Sequence, residues 1–196
     1  MADLIVTTVP LHDVPDVPVI RTGLLLSQED LGRIGTMAQR IAAGQKRFKA
    51  AAWLTTVMDP HLFIRIPGGG SREAVLSTMT EALAGQGAVG PDFLAQVMER
   101  ERLSTTALPS GAAIPHTIEM TAIRSAIAVC LAHEPVDWAG TPVRLVAMLC
   151  LSEASRDAFG DVFDAFIRTL VNDEKTARLA AATSYDDFIQ TMLAIL

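Results

Sequence analysis

The chain has 196 residues, half of them hydrophobic, and its 16 lysines and arginines against 22 aspartates and glutamates give a formal net charge of −6. This acidic balance, with no cluster of basic residues and interleaved aromatics, excludes direct nucleic-acid binding by this chain. The sequence has neither an apolar run near the roughly 18 residues that span a bilayer nor the basic region of a signal peptide, so we expect a cytoplasmic protein without membrane contact.

The first 52 residues are predicted to be an incomplete α/β segment. Two short apolar runs, "DLIVTTV" and "VPVIRTGLLL", indicate strands separated by the turn-rich "PLHDVPD" at 10–16. From Ser27, "SQEDLGRIGTMAQRIAAGQ" has an N-cap candidate and an apolar face, which predicts a helix ending near Gln45. Two strands and one helix are too little to close a core, so we place a domain boundary after residue 52.

Residues 53–196 carry the pattern of an α/β domain with helices covering a sheet. "HLFIRI" and the longer apolar runs "SAIAVCLA" and "PVRLVAMLCL" indicate strands, and Cys130 and Cys150 within those runs are expected to be reduced core thiols. Helices are predicted after Ser71, over "GPDFLAQVMERER", over Phe159–Leu170 and after Ser184. Between them, "LSTTALPSGAAIPH" at 103–116 is predicted to be an irregular loop, where function usually lies.

The loop ends at His116, whose surroundings suit phosphoryl chemistry. None of the four histidines has a partner at metal-site spacing, so we expect neither a metal ion nor a cofactor. Imidazole acts as a covalent nucleophile near neutral pH, and accepting a phosphoryl group is its simplest such role. Arg100 would supply a charged fork to the phosphoryl oxygens, while Ser104, Thr105 and Thr106 would supply hydroxyls beside the loop amides.

Other roles stay open for the neighbours of His116. Arg100 is equally suited to cap the C-terminal end of its helix, and Glu101 is expected to anchor the loop rather than to act as an acid. Trp138 is predicted to pack at an edge or turn, and His133 to lie at the surface. A hydrolytic pair of Ser104 with His116 is disfavoured, because the sequence has no nucleophile elbow and no identifiable orienting acid.

The stretch "RERLSTTALPSGAAIPH", residues 100–116, resembles without a gap a segment of the enzyme IIA domains of the fructose/mannitol/nitrogen-regulatory type. These domains belong to the phosphoenolpyruvate-dependent sugar phosphotransferase system (PTS), and the segment ends at their phosphorylated histidine. A looser resemblance covers residues 53–196. It implies a mixed central sheet flanked by helices, His116 as phosphoryl acceptor with Arg100, Thr105 and Thr106 in its site, and the phosphocarrier HPr or an enzyme IIB as partner.

One departure from this family's pattern bears on function. Members that transfer the phosphoryl group onward begin the helix after the last strand with a second histidine, which would fall near Phe159, where this chain has "DAFGDVFDAF". The departure favours a regulatory phosphoryl acceptor over a full transfer enzyme.

Residues 1–52 are similar to the end of the IIB-like domain that precedes enzyme IIA in PTS-controlled antiterminators and activators, without its phosphorylatable cysteine. The chain is therefore interpreted as the C-terminal part of such a regulator, namely a IIB-like remnant and linker at 1–52 followed by a IIA-like domain at 53–196. Its expected partners include upstream regulatory domains, and a homodimer is possible. Two alternatives remain: a stand-alone enzyme IIA for sugar transport, and an interaction module of the same fold that is not phosphorylated.

Overall fold

The computed structural model describes residues 2–12 and 16–196, and the chain divides into two compact units, Met1–Phe48 and Lys49–Leu196. The division falls within the first helix, α1, which runs from Gln28 to Val57. The sequence-based prediction that this helix ends near Gln45 is wrong. Residues 45–57 contain no proline or glycine and include three consecutive alanines, so no residue there breaks the helix.

The first unit contains two short strands besides most of α1. Strand β1 is Ile5–Thr7 and strand β2 is Val19–Arg21, and they pair in parallel with Ile5 beside Val19. Both strands lie in the apolar runs that predict them. The turn-rich stretch 10–16 lies partly outside the described residues.

The second unit is built on a four-stranded sheet in the order β3-β5-β6-β4. The strands are β3 Met58–Ile66, β4 Ala112–Ala113, β5 Thr121–Trp138 and β6 Thr141–Ser152. Strands β5 and β6 form an antiparallel hairpin, whereas β3 pairs in parallel with β5 and β4 in parallel with β6. The hairpin turns at Ala139 and Gly140, whose φ of 53° and 88° suit a two-residue turn between twisted strands.

Helices cover both faces of this sheet. They are α2 Arg72–Gly85, α3 Phe93–Leu103, α4 Arg156–Val171, α5 Asp173–Ala180 and α6 Tyr185–Ile195. Helices α2 and α3 close one apolar core, and the end of α1 with α4, α5 and α6 closes the other. The predicted mixed α/β fold is thereby confirmed. None of the helices in the described part of the chain is long and apolar enough to cross a membrane.

Trp138 corrects a second sequence-based expectation. It does not pack at an edge or turn but is fully buried, with 0% exposure, in the core under α2 and α3. It is the last residue of β5, where the even-numbered side chains of the strand alternate onto that face. The sequence "VDWAG" indicates the adjacent turn, but it does not indicate which face of the sheet the Trp138 side chain occupies.

The stretch 103–116 is also more regular than its composition predicts. Ala112 and Ala113 form β4, beside Leu145 and Val146 of β6. Alanine has little intrinsic preference for strands, so the sequence does not signal this pairing. Just before β4, Gly111 adopts a φ of 82° and its carbonyl accepts a hydrogen bond from the Arg144 amide at 2.9 Å. The loop is therefore fixed to the edge of the sheet.

Candidate functional site

His116 lies where the loop leaves the sheet, next to β6. The Pro115 carbonyl accepts a hydrogen bond from the Leu149 amide at 2.9 Å, and His116 forms an isolated parallel bridge with Leu149. The chain thus continues along the β6 edge for three residues beyond β4. This backbone pairing with β6 fixes the position of His116, whose side chain is half-buried.

A contact with the backbone indicates which tautomer the neutral imidazole of His116 adopts. Its Nδ1 lies 2.8 Å from the carbonyl oxygen of Ile114. A carbonyl oxygen only accepts hydrogen bonds, so Nδ1 carries the proton and Nε2 of the neutral ring carries the lone pair. Nε2 is therefore the atom able to attack an electrophile.

The ring of His116 lines a cleft of about 370 Å³. The polar lining side chains besides His116 are Arg100, Thr106 and Thr117, which come from α3 and the loop that follows it. The described lining side chains of α4 are Phe159, Phe163 and Ile167, which are all apolar. We call these two parts of the lining the loop flank, to which His116 belongs, and the α4 flank.

Arg100 makes the capping contact that the sequence allows and also lines the cleft. It lies in the last turn of α3, and its Nη1 donates to the carbonyl and the hydroxyl of Ser104 at 2.9 and 3.0 Å. This contact caps the end of α3, and the same side chain lines the cleft with His116. A guanidinium has five N–H donors, so its capping bonds through one nitrogen are compatible with contact to an anion.

The threonines after α3 occupy different positions. Thr106 is buried and lines the cleft, and its hydroxyl donates to the Glu101 carboxylate. Thr105 is exposed, its hydroxyl accepts a hydrogen bond from the Ala107 amide at 3.2 Å, and it is not among the described residues of the cleft lining. Of the predicted site residues, the structure brings His116, Arg100 and Thr106 together and leaves Thr105 outside.

Glu101 anchors the loop, as the sequence suggests. The side chain is 4% exposed and accepts hydrogen bonds from the amide and the hydroxyl of Thr106. A third bond comes from Trp138 Nε1 at 3.1 Å. Sequence reasoning missed this last partner, because 37 positions separate the two residues and nothing in either motif connects them.

The α4 flank of the cleft continues into an aromatic cluster. The Phe159 ring lies 4.7 Å from that of Phe163 and 5.8 Å from that of Trp53, which belongs to α1. Phe159 is the position near which the enzyme IIA resemblance expects a second histidine. The sequence thus shows a phenylalanine near the position where a histidine is expected. The structure shows that its phenyl ring lines the same cleft as His116.

Cys130, Cys150 and His133 are other candidate reactive groups of the second unit. Cys130 and Cys150 are buried, as predicted, and burial raises the pKa of each thiol to about 12. Because the thiolate is the reactive form, both thiols are inert near neutral pH. His133 is exposed, as predicted. No group of three or more metal-ligating side chains occurs among the described residues.

Residues 57–194 match the family model of "Phosphoenolpyruvate-dependent sugar phosphotransferase system, EIIA 2". The chain belongs to this EIIA 2 family. The matched range includes nearly all of the second unit, with the whole four-stranded sheet and the cleft around His116.

Two relatives of this EIIA 2 chain are much longer proteins. It is 25% identical to "Transcriptional regulator ManR" of Bacillus subtilis over 82% of this chain and 25% of that protein. It is 32% identical to the "PTS system 2-O-alpha-mannosyl-D-glycerate-specific EIIABC component" of Escherichia coli over 62% of this chain and 20% of that protein. The chain therefore spans a quarter or less of the length of these two relatives.

Solved structures agree on the fold of the EIIA 2 domain. A chain in the complex of enzyme IIA-mannitol and phosphorylated enzyme IIB-mannitol from Escherichia coli superimposes with a TM-score of 0.59. The match is 18% identical in sequence and covers 70% of this chain and 99% of that chain. The mixed sheet with helices on both faces is thus the mannitol-type IIA architecture.

Proposed function

We propose that His116 accepts a phosphoryl group at Nε2 and that this EIIA 2 domain reports the phosphorylation state of the PTS to a transcriptional regulator. The observation that carries the proposal is the bond between His116 Nδ1 and the Ile114 carbonyl, because it leaves the lone pair of the neutral ring on Nε2. Family membership supports the same reading.

In the proposed step, the Nε2 lone pair attacks the phosphorus of the phosphorylated side chain of the donor. The new N–P bond forms as the bond from phosphorus to the donor atom breaks, and the bonding electrons return to that atom, a ring nitrogen of a phosphohistidine or the sulfur of a phosphocysteine. The His116 ring gains positive character, which the Ile114 carbonyl offsets by holding the Nδ1 proton. Arg100 stabilises charge on the phosphoryl oxygens, since such transfers depend chiefly on positioning and electrostatics. Thr105 remains a candidate hydroxyl donor to these oxygens, and Thr106 is kept in the proposed site as the cleft residue whose own hydroxyl donates to Glu101.

The proposed donor is HPr or an enzyme IIB. Enzyme IIA-mannitol, which shares this fold, occurs in a solved complex with phosphorylated enzyme IIB-mannitol. Residues 1–52 are proposed to be the end of a IIB-like domain with its linker, residues 53–196 the IIA-like domain, and regulatory domains further upstream the receiver of the signal. Phosphorylation would add roughly −1.5 to −2 charge, by analogy with phosphoserine, to a chain of net charge −6.

Two observations favour the regulator over a transport component. The match to the transcriptional regulator covers 82% of the chain and so extends beyond residues 57–194. In addition, Phe159 occupies the cleft where a second imidazole would assist onward transfer. A stand-alone transport enzyme IIA is the second candidate. The 32% identity to an EIIABC component favours a role in transport, although this chain covers only 20% of that larger relative.

Phosphoryl transfer in vitro tests the proposal. The chain is incubated with phosphoenolpyruvate, enzyme I and HPr, and intact mass is measured for the wild type, His116→Ala and His133→Ala. We expect one added phosphoryl group on the wild type and on His133→Ala, whose exposed ring serves as the control. A folded wild type that gains no mass while HPr is phosphorylated would leave the unphosphorylated interaction module in its place.

A further inference from the structure

We propose that Glu101 is a positioning residue for His116, which fixes the orientation and tautomer of the imidazole through Thr106 and Ile114. The inference rests on the phosphoryl-acceptor role and deepens it. The Glu101 carboxylate is buried and does not line the described cleft. In this proposal it nevertheless determines how Nε2 is presented to the phosphoryl donor.

The first link joins Glu101 to the loop and to the core. Thr106 donates to the carboxylate through its hydroxyl and through its amide, the latter at 3.3 Å. Trp138, which is fully buried, donates through Nε1. A carboxylate only accepts hydrogen bonds, so these donors match it, and it gives the Thr106 hydroxyl one defined direction.

The second link runs from Thr106 to His116. The Thr106 carbonyl accepts a hydrogen bond from the Ile114 amide at 3.2 Å, and the Ile114 carbonyl accepts one from His116 Nδ1 at 2.8 Å. Between these residues, Ala107 and Ala113 form an antiparallel bridge. The segment 106–114 therefore closes on itself, and a displacement of Thr106 displaces the carbonyl that holds the imidazole.

Burial makes this connection rigid. A buried carboxylate that loses its donors is costly, so the folded protein keeps Thr106 and Trp138 on Glu101. The imidazole of histidine in water favours the proton on Nε2, which would block attack by that atom. The Ile114 carbonyl reverses this preference, and Glu101 keeps the carbonyl where it can do so.

The test measures the tautomer of His116 directly, by long-range ¹H–¹⁵N correlation NMR of the unphosphorylated full chain above the titration range of histidine. Signals are assigned by comparison with His116→Ala. The variants are Glu101→Ala, Glu101→Gln and the control Glu99→Ala, a glutamate of the same helix whose carboxylate is ion-paired with Arg102 at the surface. The phosphoryl-transfer rate is measured in parallel.

We expect the wild type and Glu99→Ala to carry the proton on Nδ1 and Glu101→Ala to shift towards the Nε2–H form, with phosphoryl acceptance about tenfold slower. Glu101→Gln should keep the wild-type tautomer, because its amide oxygen can accept from Trp138 and the Thr106 amide while its NH₂ donates to the Thr106 hydroxyl. A folded Glu101→Ala with the wild-type tautomer and rate would overturn the proposal.

If Glu101→Ala does not fold, Thr106→Val replaces it as the deciding variant. Valine keeps the volume of threonine and removes only the hydroxyl that donates to Glu101. A partial shift of tautomer is expected, and an unchanged tautomer and rate would contradict the role of Glu101. The NMR measurement needs no phosphorylation, so a wild type that accepts no phosphoryl group sinks the proposed function without deciding this inference.

Discussion

The two flanks of the His116 cleft are built on different principles. On the loop flank, Arg100 donates to the Ser104 carbonyl and Thr106 donates to the Glu101 carboxylate. The imidazole of His116 contacts the Ile114 carbonyl through Nδ1. On the α4 flank, the ring of Phe159 contacts the rings of Phe163 and Trp53. The hydrogen bonds of the loop flank orient its polar groups, whereas the apolar rings of the α4 flank only limit the shape of the cleft.

This difference separates two tasks that a phosphoryl carrier performs. Accepting the group requires an aligned nucleophile and a cation, and the loop flank carries an imidazole and a guanidinium. Handing it on is assisted by groups that exchange protons or charge with the departing phosphoryl group, and phenyl rings do neither. The contrast predicts a domain that loads more readily than it unloads, as suits a reporter of phosphorylation state.

The largest expected effect comes from removing the cation of the loop flank. Arg100→Ala should slow phosphoryl acceptance by HPr-dependent transfer about a hundredfold, since one charged donor to the transferred group is lost. Arg100→Lys should be intermediate, because lysine keeps the charge without the planar fork. The control is Arg102→Ala, two residues on in α3, where the guanidinium is paired with Glu99 at the surface. Equal rates for the two alanine variants would refute a phosphate contact by Arg100.

A polar group on the α4 flank should change unloading rather than loading. Phe159→His is expected to speed transfer from phosphorylated His116 to an enzyme IIB about tenfold, because an imidazole enters the cleft that now holds a phenyl ring. Phe159→Leu, which stays apolar, should leave the rate unchanged. The measurement is loss of mass from the purified phosphoprotein after addition of the acceptor, and faster transfer by the leucine variant would show that bulk rather than polarity limits unloading.

The hydrogen bond from Trp138 to Glu101, which is buried behind the loop flank, should contribute to the free energy of unfolding. Trp138→Phe removes the Nε1 donor from the Glu101 carboxylate, so the free energy of unfolding should fall by about 2 kcal/mol, the usual size for a hydrogen bond to a charged group. Urea denaturation measures this, with Trp53→Phe as the control that keeps an aromatic ring beside Phe159. A loss no greater than that of the control would mean that the carboxylate gains little from Trp138.

The smallest effect is expected at Thr105. Thr105→Ala removes an exposed hydroxyl whose bond to the Ala107 amide is local, so phosphoryl acceptance should slow by about threefold at most. Single-turnover kinetics beside Thr106→Val measure the difference between the neighbouring hydroxyls. A larger loss of rate in Thr105→Ala would indicate that the Thr105 hydroxyl contacts the phosphoryl group and belongs to the loop flank.

What the sequence predicts well is local in the chain. Arg100, Thr106 and His116 lie within one short stretch, so their motif by itself identifies the loop flank. The strands β5 and β6 are equally clear, because long apolar runs leave few other conformations.

What the sequence does not predict is distant in the chain or decided by packing. The bond from Trp138 to Glu101 and the contact of Trp53 with Phe159 each join separate elements of the fold. The length of α1 is hidden for a different reason, since its cluster of charged residues is typical of a linker although none of them breaks a helix.

The position of the tryptophans has a practical consequence. The chain has two, and one stands behind each flank of the cleft: Trp138 in the core on the Glu101 carboxylate, and Trp53 half-buried against Phe159. Each indole is an intrinsic fluorophore, so the two flanks carry their own optical labels. Replacing either indole by phenylalanine leaves a single tryptophan, whose emission spectrum would report on one flank during the proposed phosphoryl transfer.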